Sequence, residues 1–348
     1  MNIAGTNHRA IEPISSLQHV KILDQTKLPH TVEWRVLTSI HDVAEAISVM
    51  RVRGAPLIGA SAAFGLFFGV RDNASDEGLQ KAYDLLFATR PTAVNLRWGL
   101  DRVRLAIEAL APEQRATAAW LEACRVSDED VAANEALGRN GLDLLRNLTR
   151  RTDRLEIMTH CNAGWLATVD WGTALAPIYK AHDSGVAIHV WVSETRPRGQ
   201  GSALTCWELK EHGVPHTLIA DNNAGHLLQR GLVDACIVGA DRVSSRGDVA
   251  NKIGTYMKAL AAKAHDVPFF VAMPFSTIDW NVEDGIKDIP IEQRDAKEVT
   301  HLAGLPVAPV GTSARNDAFD VTPSTLVTAF ITERGVFTPK ELSTFCPW

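Results

Sequence analysis

Two hydrophobic patterns divide the chain into halves. Apolar residues alternate with polar ones at residues 20–25 and 31–37, which predicts a β-hairpin. From Ser39 onward they recur at helical spacing, as at Val43, Ile47 and Met50. Further helices are predicted at 60–69, 77–88, 96–110, 112–124 and 128–148. The half up to about residue 150 should therefore be mostly helical after its opening strands.

The second half alternates apolar, strand-like runs with helical stretches. The predicted strands are residues 155–160, 187–192, 216–220, 235–239 and 268–273, with helices at 163–181 and 224–231 among the connections. This alternation predicts an α/β protein whose parallel sheet is covered on both faces. The polar run at 148–153 is the predicted boundary between a domain of residues 1–150 and a domain of residues 151–348.

Composition narrows the classes of protein to consider. A length of 348 residues favours two domains, and a net charge of −6 argues against a nucleic-acid-binding surface. The longest uncharged apolar stretch, residues 54–70, is short for a membrane span, so a buried helix and no membrane contact are expected. The first residues do not have the pattern of a secretory signal.

The cysteines and the absent motifs narrow the chemistry. Five cysteines without close pairing predict reduced thiols in a cytoplasmic protein, and no Cys-rich pattern indicates a metal site. The sequence has neither a P-loop nor a complete dinucleotide-binding fingerprint, so nucleotide cofactors are not expected. Any phosphate is then expected to belong to a small substrate.

Polar residues follow the predicted strands of the second half, where an open parallel sheet binds its ligands. Cys161 follows the first strand and could be a small buried residue or a thiol that handles protons. Asp241 follows the fourth strand and could be a loop carboxylate or a general acid whose pKa is raised by apolar surroundings. Their convergence on one edge favours function for both.

Four basic or amide side chains are candidates for phosphate contact. Asn251 and Lys252 are expected beside a helix N-terminus, where Lys would oppose the helix dipole unless an anion lay between them. Arg53 precedes a Gly-Ala-Pro turn, and Arg90 precedes Pro91, which is expected in the first turn of a helix. Each could also form an ordinary surface ion pair.

The segments together resemble the methylthioribose-1-phosphate isomerase family over nearly the whole chain. The matching segments are RGAPLIG at 53–59, ATRPTA at 88–93, THCNAG at 159–164, ETRP at 194–197, GADR at 239–242, GDVANKIGT at 247–255, IPIEQR at 289–294 and NDAFDVTP at 316–323. The resemblance implies a mostly helical N-terminal domain that opens with short β-strands, a Rossmann-like catalytic domain at 151–348, and a homodimer without cofactor or metal.

The same resemblance implies roles for particular residues. Asp241 would be the proton donor and Cys161 would assist the transition state. The sugar phosphate would be bound by Arg53, Gly54, Ala55, Arg90, Gln200, Asn251 and Lys252. The implied reaction is the aldose–ketose isomerisation of 5-methylthioribose 1-phosphate to 5-methylthioribulose 1-phosphate, a step of methionine salvage.

Three alternatives stay open on the sequence. The substrate could instead be 5-deoxyribose 1-phosphate or ribose 1,5-bisphosphate, because the loops around Gln200 and at 221–226 differ from the family pattern. The broader superfamily also contains non-catalytic regulatory subunits that sense sugar phosphates or nucleotides. Hydrogen could move between C2 and C1 through an enediol, with Cys161 as a thiolate base, or as a direct hydride.

Overall fold

The computed structural model describes residues 1–3, 5–148, 150, 153–302 and 304–346. Short strands open the chain: β1 (Asn2–Ile3), β2 (Thr6–Asn7), β3 (Ile11–Ile14), β4 (His19–Leu23) and β5 (Trp34–Leu37). Strands β1 and β2 pair with each other, and β3, β4 and β5 form an antiparallel sheet in that order. The predicted hairpin is therefore confirmed as the β4–β5 pair, and β3 is an additional strand.

Helices fill the rest of the first half. They are α1 (Ile40–Ser48), α2 (Ala55–Asp72), α3 (Asp76–Phe87), α4 (Val94–Ile107) and α5 (Pro112–Arg146). The two helices predicted at 112–124 and 128–148 are one helix, because no Gly or Pro interrupts the chain between them and Val126 and Ser127 are buried in it. The prediction for Pro91 was wrong, since α4 begins only at Val94.

Helix α2 lies at the centre of the helical half. Every residue from Leu57 to Val70 is buried, so the apolar stretch is the buried helix that its small residues predicted. Gly59 and Gly99 allow α2 and α4 to approach closely, because a Cβ on Gly99 would lie 2.3 Å from the carbonyl oxygen of Gly59. No helix of the described residues is long and apolar enough to cross a membrane.

The second half alternates strands and helices. Its strands are β6 (Leu155–Thr159), β7 (Ile188–Ser193), β8 (His216–Ile219), β9 (Ala235–Val238), β10 (Arg242–Ser244), β11 (Val249–Lys252), β12 (Phe269–Ala272), β13 (Ile278–Asp279), β14 (His301–Leu302), β15 (Leu305–Pro306), β16 (Phe319–Thr322), β17 (Ala329–Thr332) and β18 (Gly335–Phe337). Its helices are α6 (Ala176–Asp183), α7 (Cys206–His212), α8 (Asn223–Gln229), α9 (Thr255–Ala264), α10 (Gly285–Asp288), α11 (Lys297–Thr300) and α12 (Pro339–Leu342).

Seven of these described strands form the main sheet, in the order β18-β17-β12-β9-β6-β7-β8. All neighbours are parallel except β17 and β18. Alternate residues of the central strands enter two apolar clusters, as Ile237 does on one face and Val238 on the other. The cluster with Ile237 also contains α2, so this face of the sheet shares a core with the helical half. The predicted α/β architecture is confirmed.

The stretch predicted as a helix at 163–181 is mostly irregular. It contains a 3₁₀ turn at Trp165–Ala167, and α6 begins only at Ala176. Gly172 and Trp171 adopt positive φ angles of 82° and 67°, which a helix does not accommodate. The helical spacing of apolar residues is here a consequence of loop residues that pack into the core.

A second sheet has the order β13-β10-β11-β16, and the sequence did not reveal it. It places Asn251 and Lys252 on β11, whereas α9 begins at Thr255. The expectation that these two residues lie beside a helix N-terminus is therefore confirmed, although they belong to a strand that the sequence did not predict. The predicted domain boundary lies in residues 148–153, of which 149, 151 and 152 are outside the described residues, so the division at 150/151 stays a prediction.

Candidate active site

The order of the main sheet indicates where a ligand would bind. The first strand of the sheet in the chain, β6, lies in its interior beside the central strand β9; β7 and β8 follow on one side, and β9, β12 and β17 on the other. The direction of the crossovers thus reverses between β6 and β9, and such a point opens a crevice at the carboxyl ends of the strands. Cys161 follows β6, and Asp241 follows β9.

Cys161 is held in a fixed, buried conformation. Its side chain is 8% exposed, and its φ of 64° is a left-handed value that few non-glycine residues adopt. Its N–H donates to Oγ1 of Thr195 at 2.8 Å, and its carbonyl oxygen accepts from Oγ1 of Thr205 at 2.6 Å. Burial raises the pKa of the thiol. Arg53 and Lys252 oppose this rise, and Asp241 reinforces it. The thiol form is therefore favoured at neutral pH.

Asp241 is half-buried beside three cations. Burial raises the pKa of its carboxyl group, while Lys252, Arg90 and Arg53 oppose the rise. Its backbone N–H donates to the carbonyl oxygen of Ala250 at 2.9 Å, which ties it to β11. A carboxyl group with a raised pKa can hold a proton near neutral pH and deliver it to a substrate.

Lys252 reaches this crevice from β11. Its side chain is 8% exposed, and its Nζ lies 4.9 Å from the centre of the Phe319 ring. Burial lowers the pKa of Lys252, and its neighbours Cys161 and Asp241 oppose this. Its neighbour Asn251 is also buried and donates from Nδ2 to Oγ1 of Thr255 at 3.0 Å.

Arg53, Gly54 and Ala55 lie at the N-terminus of α2. The Arg53 guanidinium donates to Oδ1 and to the backbone oxygen of Asn162, at 2.6 and 2.9 Å. Gly54 has a φ of 92°, and a Cβ there would lie 2.4 Å from the carbonyl oxygen of Ala167, so only glycine fits. Within the described residues, no side chain caps this N-terminus, which therefore presents N–H groups to an anion.

Arg90 and Ala55 of α2 line one narrow cavity. Its guanidinium donates to Oε2 of Glu292 at 2.9 Å, and Arg294 donates to the other carboxylate oxygen at 2.8 Å. Although burial opposes it, the two arginines hold the pKa of Glu292 below its usual value. Glu292 thus keeps Arg90 oriented, a role that the sequence did not reveal because the two residues are far apart in the chain.

Gln200 has a buried acceptor that no described group satisfies. Its side chain is 7% exposed, and its Oε1 has no hydrogen-bond partner among the described residues. Leaving such an atom unpaired costs about 1–3 kcal/mol. A sugar hydroxyl could donate to it. Gln200 precedes a π-helical turn, Gly201–Thr205, and turns of this type often occur at functional sites.

A narrow cavity joins several of these groups. Ala55, Arg90 and Asp241 line it together with an apolar wall formed by Ile58, Val94, Ala250, Ile289, Pro290 and Phe319. A wider cleft of about 1180 Å³ shares Thr92, Ala93, Val94, Arg242 and Pro290 with this cavity. Arg242 lies at the junction, where it donates to the carbonyl oxygen of Thr92 at 2.8 Å.

Different observations place the predicted site residues near one another. Mutual electrostatic effects on pKa connect Cys161, Asp241, Lys252 and Arg53, and they connect Asp241 with Arg90. Gly54 and Ala55 follow Arg53 in the chain. Gln200 and Asn251 are both buried; Gln200 lies a few residues after Thr195, and Asn251 directly precedes Lys252. In the part of the chain that the structure describes, no group of three or more His, Cys, Asp or Glu side chains could hold a metal ion.

Comparison with known proteins identifies relatives over nearly the whole chain. The chain is 56% identical to methylthioribose-1-phosphate isomerase from Gluconobacter oxydans (strain 621H), over 96% of this chain and 95% of that protein. It resembles the solved structure of 5-methylthioribose 1-phosphate isomerase from Pyrococcus horikoshii OT3, with a TM-score of 0.87, 40% identity and coverage of 99% of this chain and 98% of that one.

A second solved structure is described as translation initiation factor eIF-2B, subunit delta, from A. fulgidus. It has a TM-score of 0.82 and 41% identity, over 97% of this chain and 99% of that one. The model of the Initiation factor 2 subunit family matches residues 51–339. The chain therefore belongs to the Initiation factor 2 subunit family and, within it, to the methylthioribose-1-phosphate isomerase family.

Proposed function

We propose that this protein isomerises 5-methylthioribose 1-phosphate to 5-methylthioribulose 1-phosphate, the methionine-salvage reaction for which its relatives are named. The observation that carries the proposal is the position of Asp241, a carboxyl group with a raised pKa that lines a cavity beside cations. The cations suit the phosphate, and the acid suits the ring oxygen.

Phosphate binding is assigned to the side of the crevice formed by α2, Arg53 and Lys252. The uncapped N-terminus of α2 supplies N–H groups, and Arg53 and Lys252 supply positive charge. Arg90 adds a cation, and Asn251 and Gln200 are the proposed partners of the sugar hydroxyls. The apolar wall of the cavity, which includes Ile58 and Phe319, suits a 5-methylthio group better than the second phosphate of ribose 1,5-bisphosphate.

Asp241 begins the proposed reaction. It gives its proton to the ring oxygen, and the bond between C1 and that oxygen breaks. Hydrogen moves from C2 to C1, so that C2 is oxidised to a ketone and C1 is reduced. The proton of the C2 hydroxyl returns to the Asp241 carboxylate. Oxidation and reduction balance within one molecule, so the reaction requires no cofactor.

Cys161 is proposed to assist at the carbon centres as a neutral thiol. Its raised pKa disfavours the thiolate that would have to remove a proton from C2. The hydride route is therefore the better match to this site. In that route, the thiol shields and positions C1 and C2 while the hydrogen moves between them.

The variant Asp241→Asn tests the acid. We expect kcat for 5-methylthioribose 1-phosphate to fall about 100- to 10,000-fold, because an amide cannot donate the proton. The assay is steady-state conversion to the ketose, repeated with 5-deoxyribose 1-phosphate and ribose 1,5-bisphosphate to rank the substrates. Equal rates in the wild type and the variant would contradict the role of Asp241. A wild type without turnover would favour the regulatory-subunit alternative.

Turnover in deuterated water tests the route. A direct hydride transfer retains the substrate's C2 hydrogen at C1, so we expect no carbon-bound deuterium at C1 by mass spectrometry after the hydroxyl groups have been exchanged back in ordinary water. Extensive deuterium at C1 would instead indicate an enediol that exchanges with solvent, and would restore the thiolate alternative for Cys161.

Assembly, location and domain division are further proposals. The β14–β15 hairpin and the residues after it expose Leu305, Val307 and Val310, the last completely, which supports a homodimer in which a second copy covers them. A species with the mass of a monomer in sedimentation equilibrium at micromolar concentration would contradict the dimer.

All five cysteines are free, which supports a cytoplasmic location.

A further inference from the structure

Glu208 is a deeply buried carboxylate close to the candidate site, and the proposed reaction does not use it. It lies on α7 and is 1% exposed. Four groups donate to it: Nδ2 of Asn162 at 2.7 Å, the N–H of Trp165 at 2.8 Å, the N–H of Leu166 at 3.2 Å and the hydroxyl of Tyr179 at 2.7 Å. Burial raises the pKa of Glu208 to about 7, and the four donors oppose the rise because they favour the ionised form, the one that can accept from all of them.

Asn162 links Glu208 to Arg53. Its Nδ2 donates to Glu208 and, at 3.2 Å, to Oγ1 of Thr205, while its Oδ1 accepts from Arg53 at 2.6 Å. The two ends of an amide are not equivalent, since one donates and the other accepts. An acceptor at position 208 therefore turns the amide so that its oxygen faces the guanidinium.

The same carboxylate holds the loop that carries Cys161. It accepts from two successive backbone N–H groups, at Trp165 and Leu166, and a Cβ on Gly164 would lie 1.9 Å from Oε2 of Glu208. Thr205 lies in the π-helical turn before α7 and donates to the carbonyl oxygen of Cys161. One short segment of chain therefore fixes both the thiol loop and the amide that orients Arg53.

We propose that Glu208 is a positioning residue that acts through Asn162 to hold Arg53 in the orientation that binds the substrate phosphate. The inference rests on the proposed function, which assigns Arg53 to the phosphate. Glu208 does not touch the substrate in this account. Its carboxylate determines the direction of the Asn162 amide, and the amide determines the direction of the guanidinium.

The variant Glu208→Gln breaks this chain with little change in volume. A glutamine has one accepting end, so its NH₂ group must face some of the N–H donors that now reach the carboxylate. If it faces Asn162, the Asn162 amide turns over and presents its own NH₂ to Arg53. We expect KM for 5-methylthioribose 1-phosphate to rise about tenfold to 100-fold, the range of one charge-assisted hydrogen bond.

Glu156 provides a matched control. It is also a buried glutamate (7% exposed), and it accepts from Nδ1 of His189 at 2.9 Å and from Arg154 at 2.6 Å; its hydrogen bonds among the described residues do not include Asn162 or Arg53. Glu156→Gln should lower the melting temperature and leave KM within about twofold of wild type. A rise in KM that is equal in both glutamine variants would reduce Glu208 to a general structural residue and overturn the proposal.

A double-mutant cycle separates positioning from a direct effect on binding. In an Arg53→Ala background, Glu208→Gln should raise KM by less than about twofold, because the group it positions is gone. An undiminished rise in that background would overturn the proposal. If Glu208→Gln does not fold, Asn162→Ala tests the middle of the chain, and an unchanged KM in that variant would equally overturn it.

A crystal structure of Glu208→Gln keeps this inference separate from the proposed reaction. We expect the Arg53 guanidinium to have left Oδ1 of Asn162. An unchanged pair of Arg53–Asn162 hydrogen bonds would overturn the positioning role whatever the substrate. Absence of turnover by the wild-type protein would contradict the proposed function, and the Arg53 position in the variant would still decide the role of Glu208.

Discussion

Two helix N-termini flank the candidate site and differ in one respect. Helices α2 and α9 both follow a glycine in the left-handed region, Gly54 with φ 92° and Gly254 with φ 99°. At α9, the carboxylate of Asp320 accepts from the N–H of Gly254 at 2.7 Å and from that of Tyr256 at 3.1 Å. At α2, none of the described side chains takes that position.

The difference shows that proximity to a sheet edge does not make a helix N-terminus an anion site. The carboxylate of Asp320 already accepts from N–H groups at the start of α9, and its negative charge would repel a second anion there. Helix α2 retains its N–H groups, and Arg53 stands beside them. The sequence led us to expect the anion beside α9, whereas the contacts favour α2 and leave Lys252 to reach the crevice from β11.

The largest contrast is expected from alanine at the two glycines. In Gly54→Ala, the new Cβ would lie 2.4 Å from the backbone oxygen of Ala167, so the start of α2 must move. We expect kcat/KM to fall about 100-fold, since misplacement of binding groups by about 1 Å has that cost. In Gly254→Ala, the nearest atoms are in the His160 ring at 3.3 Å, so the loss should stay below about fivefold.

Melting temperatures of both glycine variants control for strain, because each places alanine at a positive φ. Similar melting temperatures with unequal kcat/KM would sharpen the distinction between the two helices. Equal losses of kcat/KM would show that both N-termini serve the substrate, and the contrast would be wrong.

Two buried lysines allow a second, smaller test. Lys252 faces Asp241 and Cys161, while Lys258 on α9 has its Nζ 3.9 Å from Asp221. We expect Lys252→Met to raise KM about tenfold to 100-fold by removing a phosphate partner, and Lys258→Met to raise it by less than about threefold. Steady-state kinetics and thermal melts would separate loss of binding from loss of stability.

The pH dependence of KM gives the sign of the Lys252 effect. Burial lowers the pKa of Lys252, so its positive charge is lost at a lower pH than for an exposed lysine. Phosphate affinity should therefore fall as pH rises through this lowered pKa, and KM should rise. Lys252→Met has no such charge, so a KM that rises equally with pH in the variant would contradict the assignment.

The smallest effect is expected at the cap of α9. Asp320→Asn loses one of the two accepting oxygens, which should lower Tm by about 2–4 °C, as expected for the loss of about 1 kcal/mol at a helix cap. KM should stay within about twofold, because the capped N-terminus is not the proposed phosphate site. A larger change in KM would indicate that α9 contributes to binding.

The same variant has a defined pH signature. Burial raises the pKa of Asp320 to about 6, opposed by the N–H groups of Gly254 and Tyr256. The folded state therefore holds a proton that an unfolded aspartate has already released, and this contribution to stability is lost as pH rises through about 4 to 6. The Tm difference between wild type and Asp320→Asn should narrow from pH 4 to pH 7, and a constant difference would contradict it.

The sequence predicted the features that depend on short-range pattern. Continuous apolar runs identified the central strands, and the polar residues after them identified Cys161 and Asp241 as neighbours at one edge. The parallel order follows from the alternation of strands and helices. These inferences need only the period of a strand and the geometry of an open sheet.

The failures share a different cause. Strand β11 pairs with β16, far along the chain, so neither the second sheet nor the place of Asn251 and Lys252 in it could be judged locally. The loop expected to be helical at 163–181 is fixed by Glu208, whose contacts with Trp165 and Leu166 are also long-range. The partner of a polar group is decided by tertiary packing, and a single sequence carries little information about it.

The enclosure of Cys161 has a consequence for the lifetime of the protein. Peroxides and alkylating agents attack the thiolate of an accessible cysteine. A side chain that is 8% exposed and has a raised pKa offers them little of that form. The burial that disfavours the thiolate thus also makes the thiol chemically durable, so that oxidative damage should reach more exposed parts of the chain first.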